Sequence, residues 1–244
     1  MSWDSKIKIA CLCPTYGRPR LLANTLACFL AQDYPIQNSK LFILDDANQI
    51  KPQSGQNWQV WSAQDKFISL PSKYDFLVFQ ADRWGADAYC VWDDDDIYLP
   101  WHLIAHAESL STAGWSHPKY VWTLFPDLAK ELAARRFHAA LAIRRDYAVR
   151  VNYWGKSTAC GYDTQLLDRL AEIAPCGYCD TWRQPSYVSR WSSTGADHCS
   201  GRYRNAEDTT WYTDTPISQP GYVTELKAQM DDETAKISSY FAAK

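Results

Sequence analysis

Short continuous apolar runs alternate with stretches of helical spacing along the N-terminal part of the chain. Ile7 to Cys13 (IKIACLC) is apolar and β-branched, which predicts a buried strand. Pro14-Thr15-Tyr16-Gly17-Arg18-Pro19 predicts a loop, because prolines and glycine interrupt regular structure. Leu21, Leu22, Thr25, Leu26, Phe29 and Leu30 then fall on one helical face. Leu41 to Leu44 predicts a second buried strand, running into Asp45-Asp46 and a polar stretch with Asn48, Pro52, Ser54 and Gly55. Lys73 to Asp82 predicts a helix with Phe76, Leu77 and Phe79 turned inward, and Ala88 to Trp92 a third strand. Trp101 to Leu110 restarts a helix after Pro100. Tyr120 to Phe125 and Phe137 to Ile143 predict two strands joined by the polar-faced segment Asp127 to Arg136, and Tyr162 to Ile173 predicts a helix. Pro175 to Gly221 has little periodicity and predicts loops and edge strands, whereas Tyr222 to Phe241 is helical again. Strand and helix patterns in this order predict a single Rossmann-like α/β/α sandwich with a mostly parallel central sheet over 1–215, and a helical appendage over 216–244.

Composition narrows the function classes. The 244 residues carry 25 Lys and Arg against 28 Asp and Glu, a formal charge of -3, which excludes a globally basic nucleic-acid binder. The apolar runs are far shorter than the ~20 residues a membrane span needs, and Met1 to Ala10 lacks the apolar centre of a signal peptide. A cytoplasmic protein without a transmembrane anchor is expected. The eight cysteines are therefore read as reduced thiols. Cys176-Gly-Tyr-Cys179, with Cys160 and His198-Cys199, has soft ligands enough for a structural zinc site, buried inert thiols being the alternative.

Trp92-Asp93-Asp94-Asp95-Asp96-Ile97-Tyr98-Leu99-Pro100 carries the sharpest chemistry. Adjacent carboxylates repel one another unless solvated or neutralised, and oxygen-only ligands suit Mg²⁺ or Mn²⁺ bridging to substrate phosphates. Carboxylates ending two neighbouring strands, Asp45-Asp46 and this run, face the crevice where open α/β sheets bind ligands. A solvated acidic turn is the plainer alternative.

The stretches IACLCPTYGRP, LFILDDAN, DDDDIYLP, CGYDTQLLDRL and YVSRWSSTGADHCSG, in this order and spacing, resemble the inverting family 2 glycosyltransferases with the GT-A fold, over about Lys6 to Ser200. The family commonly has Glu-Asp where this chain has Tyr162-Asp163, and a small residue where Asp94 sits. The resemblance implies a metal-dependent transfer of a sugar from a nucleotide-sugar donor, UDP-sugar foremost, to an acceptor hydroxyl. It implies that Pro14, Thr15 and Tyr16 cradle the nucleotide base with Arg18 in the same loop, and that Asp46 accepts a hydrogen bond from base or ribose. Lys73 approaches the donor, Asp93 faces ribose, Asp95 holds Mn²⁺ or Mg²⁺, and Asp94 and Asp96 substitute or support. His198 reaches metal or diphosphate, and Asp163 is the general base, with a helix N-cap as the alternative reading.

Two other functions fit the same residues: glycosylation of a hydroxylated base in DNA, and a nucleotide or glycan binding module without turnover. The segment from Arg135 to Lys156 holds Arg135, Arg136, His138, Arg144, Arg145, Arg150 and Lys156 against Asp146 alone. His138, Arg144 and Arg145 are therefore candidate acceptor contacts, for an acceptor glycan, a lipid-linked sugar or a modified nucleic acid. Ordinary surface arginine is the plainer reading.

Overall fold

The computed structural model describes residues 7–16, 19–123, 129–134, 136–155, 161–179 and 185–189. Its larger sheet is built on β1 (Ile9–Thr15), β2 (Ser39–Asp45), β4 (Trp58–Ser62) and β5 (Ala88–Val91). These four run parallel in the order β4-β2-β1-β5, and β3 (Gln53–Ser54) adds antiparallel to β4 at one edge. Beyond β5 the sheet continues through β10 (Ala142–Arg144), antiparallel to both neighbours, then β7 (Trp115–His117) and β11 (Gly177–Tyr178). Every residue of β1 and of β5 is buried, as continuous apolar runs require when both faces of a strand are covered. The helices are α1 (Pro19–Leu30), α2 (Leu70–Trp84), α3 (His102–Leu110), α4 (Arg145–Arg150) and α5 (Tyr162–Ile173). A second sheet of four short strands has the order β6 (Ile97–Tyr98), β12 (Tyr187–Ser189), β8 (Tyr120–Thr123) and β9 (Ala129–Leu132). This is a mixed α/β fold with a parallel centre, as the alternating pattern predicts.

The departures from the pattern have local causes. Strand β1 continues through Pro14 to Thr15, where the prolines predict a loop. Leu12 O accepts from Trp92 N at 3.0 Å, so Pro14, two residues on, turns its nitrogen to the same side. By then β5 has ended, and the missing N–H leaves no ladder bond unmade. Phe79 does not turn inward and is 59% exposed. The buried face of α2 is Tyr74, Leu77, Val78 and Ala81, and Phe79 lies on the opposite side of the helix. This helix also starts earlier than predicted, at Leu70. Ser69 and Ser72 form a reciprocal capping box ahead of it, and Gly85, at φ 83°, closes it in the left-handed conformation. Phe137 to Ile143 is not one strand: a turn of 3-10 helix occupies His138–Ala140 before β10 begins. Strand β4 escapes the periodicity argument because only Val60 of WQVWS is buried at this sheet margin. The predicted helix over Tyr222 to Phe241, and with it the 216–244 appendage, lies outside the described residues. Among the described residues, no helix is long and apolar enough to cross a membrane.

Candidate active site

The C-terminal ends of β1, β2 and β5 meet at one edge of the sheet, and the polar residues following each strand converge there. The two aspartates after β2 divide their tasks. Asp45 accepts from the backbone N–H groups of Ala47, Gln49 and Ile50 at 2.7 to 2.9 Å, folding its own loop. Asp46 turns the other way, accepts from Phe67 N at 2.9 Å and forms an ion pair with Lys73. Lys73 Nζ also donates to Thr15 O at 3.2 Å. Tyr16, 47% exposed at the mouth, has Lys66 Nζ 4.5 Å and Lys73 Nζ 5.5 Å from its ring centre. Thr15, Tyr16, Asp46 and Lys73, remote in sequence, thus share one corner of the crevice.

The acidic run after β5 is folded into a turn by its own tyrosine. Tyr98 stacks on Trp92 with ring centres 3.9 Å apart, and its hydroxyl accepts from Asp93 N at 2.6 Å and donates to Ala139 O at 3.3 Å. The turn separates the four carboxylates. Asp94, fully buried, accepts from Thr15 Oγ1 at 2.5 Å, tying the run to β1. Asp93, Asp95 and Asp96 converge, with ligand oxygens within 4.8 Å of one another. Tyr74 O–H donates to Asp93 at 3.1 Å, and Tyr187 O–H to Asp96 at 2.5 Å. Burial pushes both phenols well above their ordinary range, so they stay protonated donors. Burial, followed by repulsion from Asp95, Asp96 and Asp94, also raises the Asp93 carboxyl well above the carboxylate range, against the pull of the Tyr74 bond. A divalent cation would remove that repulsion, and an all-oxygen donor set suits Mg²⁺ or Mn²⁺.

Asp163 enters from α5. The helix N-cap is Gly161, left-handed at φ 89°, so Asp163 is not the cap but an acidic residue of the first turn, where its charge suits the helix dipole. Its Oδ1 accepts from Thr164 N at 2.8 Å. Its carboxylate also acts on the buried His138, raising that imidazole, but burial outweighs it and holds His138 down at about 4. Trp154 Nε1 donates to His138 Nε2 at 2.7 Å, and an indole N–H can only donate, so Nε2 is the unprotonated nitrogen. Trp154 stacks on Tyr74 at 4.6 Å, and Tyr162 meets the His138 ring at 5.6 Å. Packed rings therefore join the start of α5 to the acidic cluster.

The His138 shift has a testable sign. The folded chain holds this group at about 4 against an ordinary 6.5. The unfolded chain therefore takes up its proton first, and stability contributed above about 6.5 is lost as pH falls towards 4. The full loss is about 3 kcal/mol. Denaturant titrations at several pH values should show that His138→Gln, which keeps an acceptor for Trp154, flattens this part of the profile relative to the parent. Parallel profiles would place the imidazole in solvent.

The structure brings Pro14, Thr15, Tyr16, Asp46, Lys73, Asp93, Asp94, Asp95, His138 and Asp163 to this crevice or its margin. Arg144 and Arg145 are not among them. Arg144 pairs in register with Ala88, at the start of β5, whereas the acidic run follows its end. Arg144 binds Asp146 at 3.2 Å as an exposed pair, and Arg145 binds the half-buried Asp82 at 3.0 Å. The antiparallel course of β10 carries these arginines away from the site and leaves His138 beside it. Arg18 and His198 lie outside the described residues, as do Cys160 and Cys199. Tyr74, Tyr98 and Tyr187 were missed by sequence reasoning. Tyr98 alone had a local signal, its place in IYLP directly after the acidic run.

No family model matches this chain, and no curated protein sequence does. Solved structures do. The Staphylococcus aureus TarS fragment 1-349 in complex with UDP superposes with a TM-score of 0.60 at 12% identity, over 77% of this chain and 61% of TarS 1-349. The same fragment in complex with UDP-GlcNAc gives 0.57 at 14% identity, over 93% and 66%. The mannosyltransferase PcManGT from Pyrobaculum calidifontis, in complex with GDP-Man and Mn²⁺, gives 0.55 at 13% identity, over 96% and 75%. This chain spans about three fifths of the TarS fragment in the UDP complex. The fold is GT-A.

Proposed function

We propose that this GT-A chain is a metal-dependent inverting glycosyltransferase that moves a hexosyl group from a nucleotide sugar, UDP-sugar foremost, to an acceptor hydroxyl. The observation that carries this reading is the convergence of Asp93, Asp95 and Asp96 beside the corner formed by Thr15, Tyr16, Asp46 and Lys73. TarS and PcManGT, of the same fold, have been crystallised with nucleotide sugars, and PcManGT also with Mn²⁺.

In this reading Tyr16 stacks on the nucleotide base, while Asp46, oriented by Lys73, accepts a hydrogen bond from the base or ribose. Asp95, with Asp93 and Asp96, would hold Mn²⁺ or Mg²⁺, which when bound neutralises the donor diphosphate. Asp163 takes the proton of the acceptor hydroxyl as its oxygen attacks the anomeric carbon, and the nucleoside diphosphate leaves from the opposite face. With Arg144 and Arg145 at the far end of the sheet, the acceptor is read as approaching Asp163 at the start of α5, and the removal of that basic pair from the site favours a neutral hydroxyl-bearing molecule over a polyanion.

The test is a mass-spectrometric screen of nucleotide sugars for turnover or slow hydrolysis, with and without Mn²⁺. Calorimetric titration of UDP complements it: binding should weaken at least ~10- to 100-fold on chelation or in Asp95→Ala, because a direct ligand matters no less than the groups that orient it. UDP affinity indifferent to both metal and Asp95 would remove the metal from the mechanism.

A further inference from the structure

A second cluster of ligand-type side chains lies in the core, apart from the acidic site. His102 and His106 are four residues apart on α3, on one helical face, and both are fully buried. Cys90 of β5 faces them: its Sγ is 3.7 Å from His102 Nε2, and suitable atoms of Cys90, His102 and His106 all lie within 4.8 Å of one another. Cys179, just past β11, brings its Sγ to 3.9 Å from His106 Nε2. The other nitrogen of each ring is anchored. His102 Nδ1 lies 2.8 Å from Ser186 Oγ and His106 Nδ1 2.9 Å from Ser116 Oγ. Hydroxyls on Nδ1 fix ring orientation and leave Nε2 directed at sulfur, the arrangement that outer partners impose on metal-binding imidazoles.

We propose that Cys90, His102, His106 and Cys179 form a structural site for Zn²⁺, independent of the acidic cluster and of the proposed transferase activity. Tetrahedral coordination with Zn–S of about 2.3 Å and Zn–N of about 2.0 Å sets each sulfur about 3.6 Å from each nitrogen. The contacts of 3.7 and 3.9 Å already stand near that separation; Cys179 lies outside the 4.8 Å group of the other three, so loading also requires its side chain to close on that group. Binding exchanges two thiol protons for one dication: both protons go to solvent, both imidazoles bind as neutral ligands, and the filled site carries no net charge. Its position explains a use for it. The ligands come from β5, α3 and the end of β11, and the two hydroxyls from β7 and the approach to β12, so one ion would clamp both sheets onto α3. The site uses Cys179 of the CxxC pair without Cys176, whose Sγ lies instead 3.4 Å from Gly177 O.

The full chain, purified without added metal and dialysed against a weak chelator, is expected to retain one zinc per chain by elemental analysis. Replacement by Co²⁺ should give a thiolate-to-metal charge-transfer band and the visible bands of a tetrahedral ion. Asp95→Ala and Cys176→Ser should keep these bands, whereas Cys90→Ser and His106→Gln should lose the bound metal. The carboxylate cluster cannot produce a thiolate band, so the two sites are read separately. If the ligand variants fail to fold, the parent's own metal content and cobalt spectrum decide the matter. A folded parent that carries no zinc and takes up Co²⁺ without a thiolate band overturns the proposal and leaves a set of thiol–imidazole hydrogen bonds.

Discussion

Replacing Asp163 by Asn is expected to lower sugar transfer by ~10²- to 10⁴-fold while leaving UDP and metal affinity nearly unchanged. The substitution keeps the shape of the side chain and an oxygen able to accept the Thr164 N–H, so the start of α5 should stay folded. It removes the ability to take a proton. That ability matters only as the acceptor hydroxyl attacks, which is why the loss should appear in turnover rather than in donor binding. Since the N-cap of α5 is Gly161, no cap hydrogen bond is lost to confuse the result. The assay pairs initial rates of transfer with calorimetric UDP binding for parent and variant. A variant that transfers at the parent rate would show that another group deprotonates the acceptor. Loss of stability with full activity per folded molecule would reduce Asp163 to a charge at the helix dipole.

How much of this could be read from the chain differs by scale. The strands β1, β2 and β5 and the helices α3 and α5 were legible because continuous apolar runs and helical spacing report burial directly. Strands β6, β11 and β12, two or three residues long, were not, because their pairing joins segments far apart in sequence and leaves no local period. At the site, the acidic run and Asp46 stood out through position, each following an apolar strand. Sequence could not say which of the four carboxylates converge, because the turn that separates Asp94 from the others depends on Tyr98 stacking on Trp92 and on a hydroxyl from Thr15. The same holds for Arg144 and Arg145. Their charge is plain in the sequence, but the direction of β10, which decides the end of the sheet they occupy, is a tertiary fact.

The second large effect is expected at the ion pair beneath the proposed base pocket. Lys73 and Asp46 have side chains only 9% and 0% exposed, and Asp46 otherwise accepts from Phe67 N. Lys73→Met keeps much of the aliphatic stem but strands a carboxylate away from water, which should cost about 3 to 5 kcal/mol in denaturant unfolding. Asp46→Asn alone leaves the opposite charge, with Thr15 O as one partner for Nζ. The double variant Lys73→Met with Asp46→Asn has no unpaired charge, so it should be more stable than Lys73→Met by itself, and the cycle should show strong coupling. This pattern distinguishes a buried pair that orders the pocket from an incidental contact. If Lys73→Met cost less than about 1 kcal/mol, as an exposed pair would, water would have to reach Asp46 in the folded chain. In that case Lys73 would serve the donor directly and do little to set the position of Asp46. UDP binding measured on the double variant separates the two roles, because a folded chain that still binds UDP as the parent does would leave neither residue a part in holding the nucleotide.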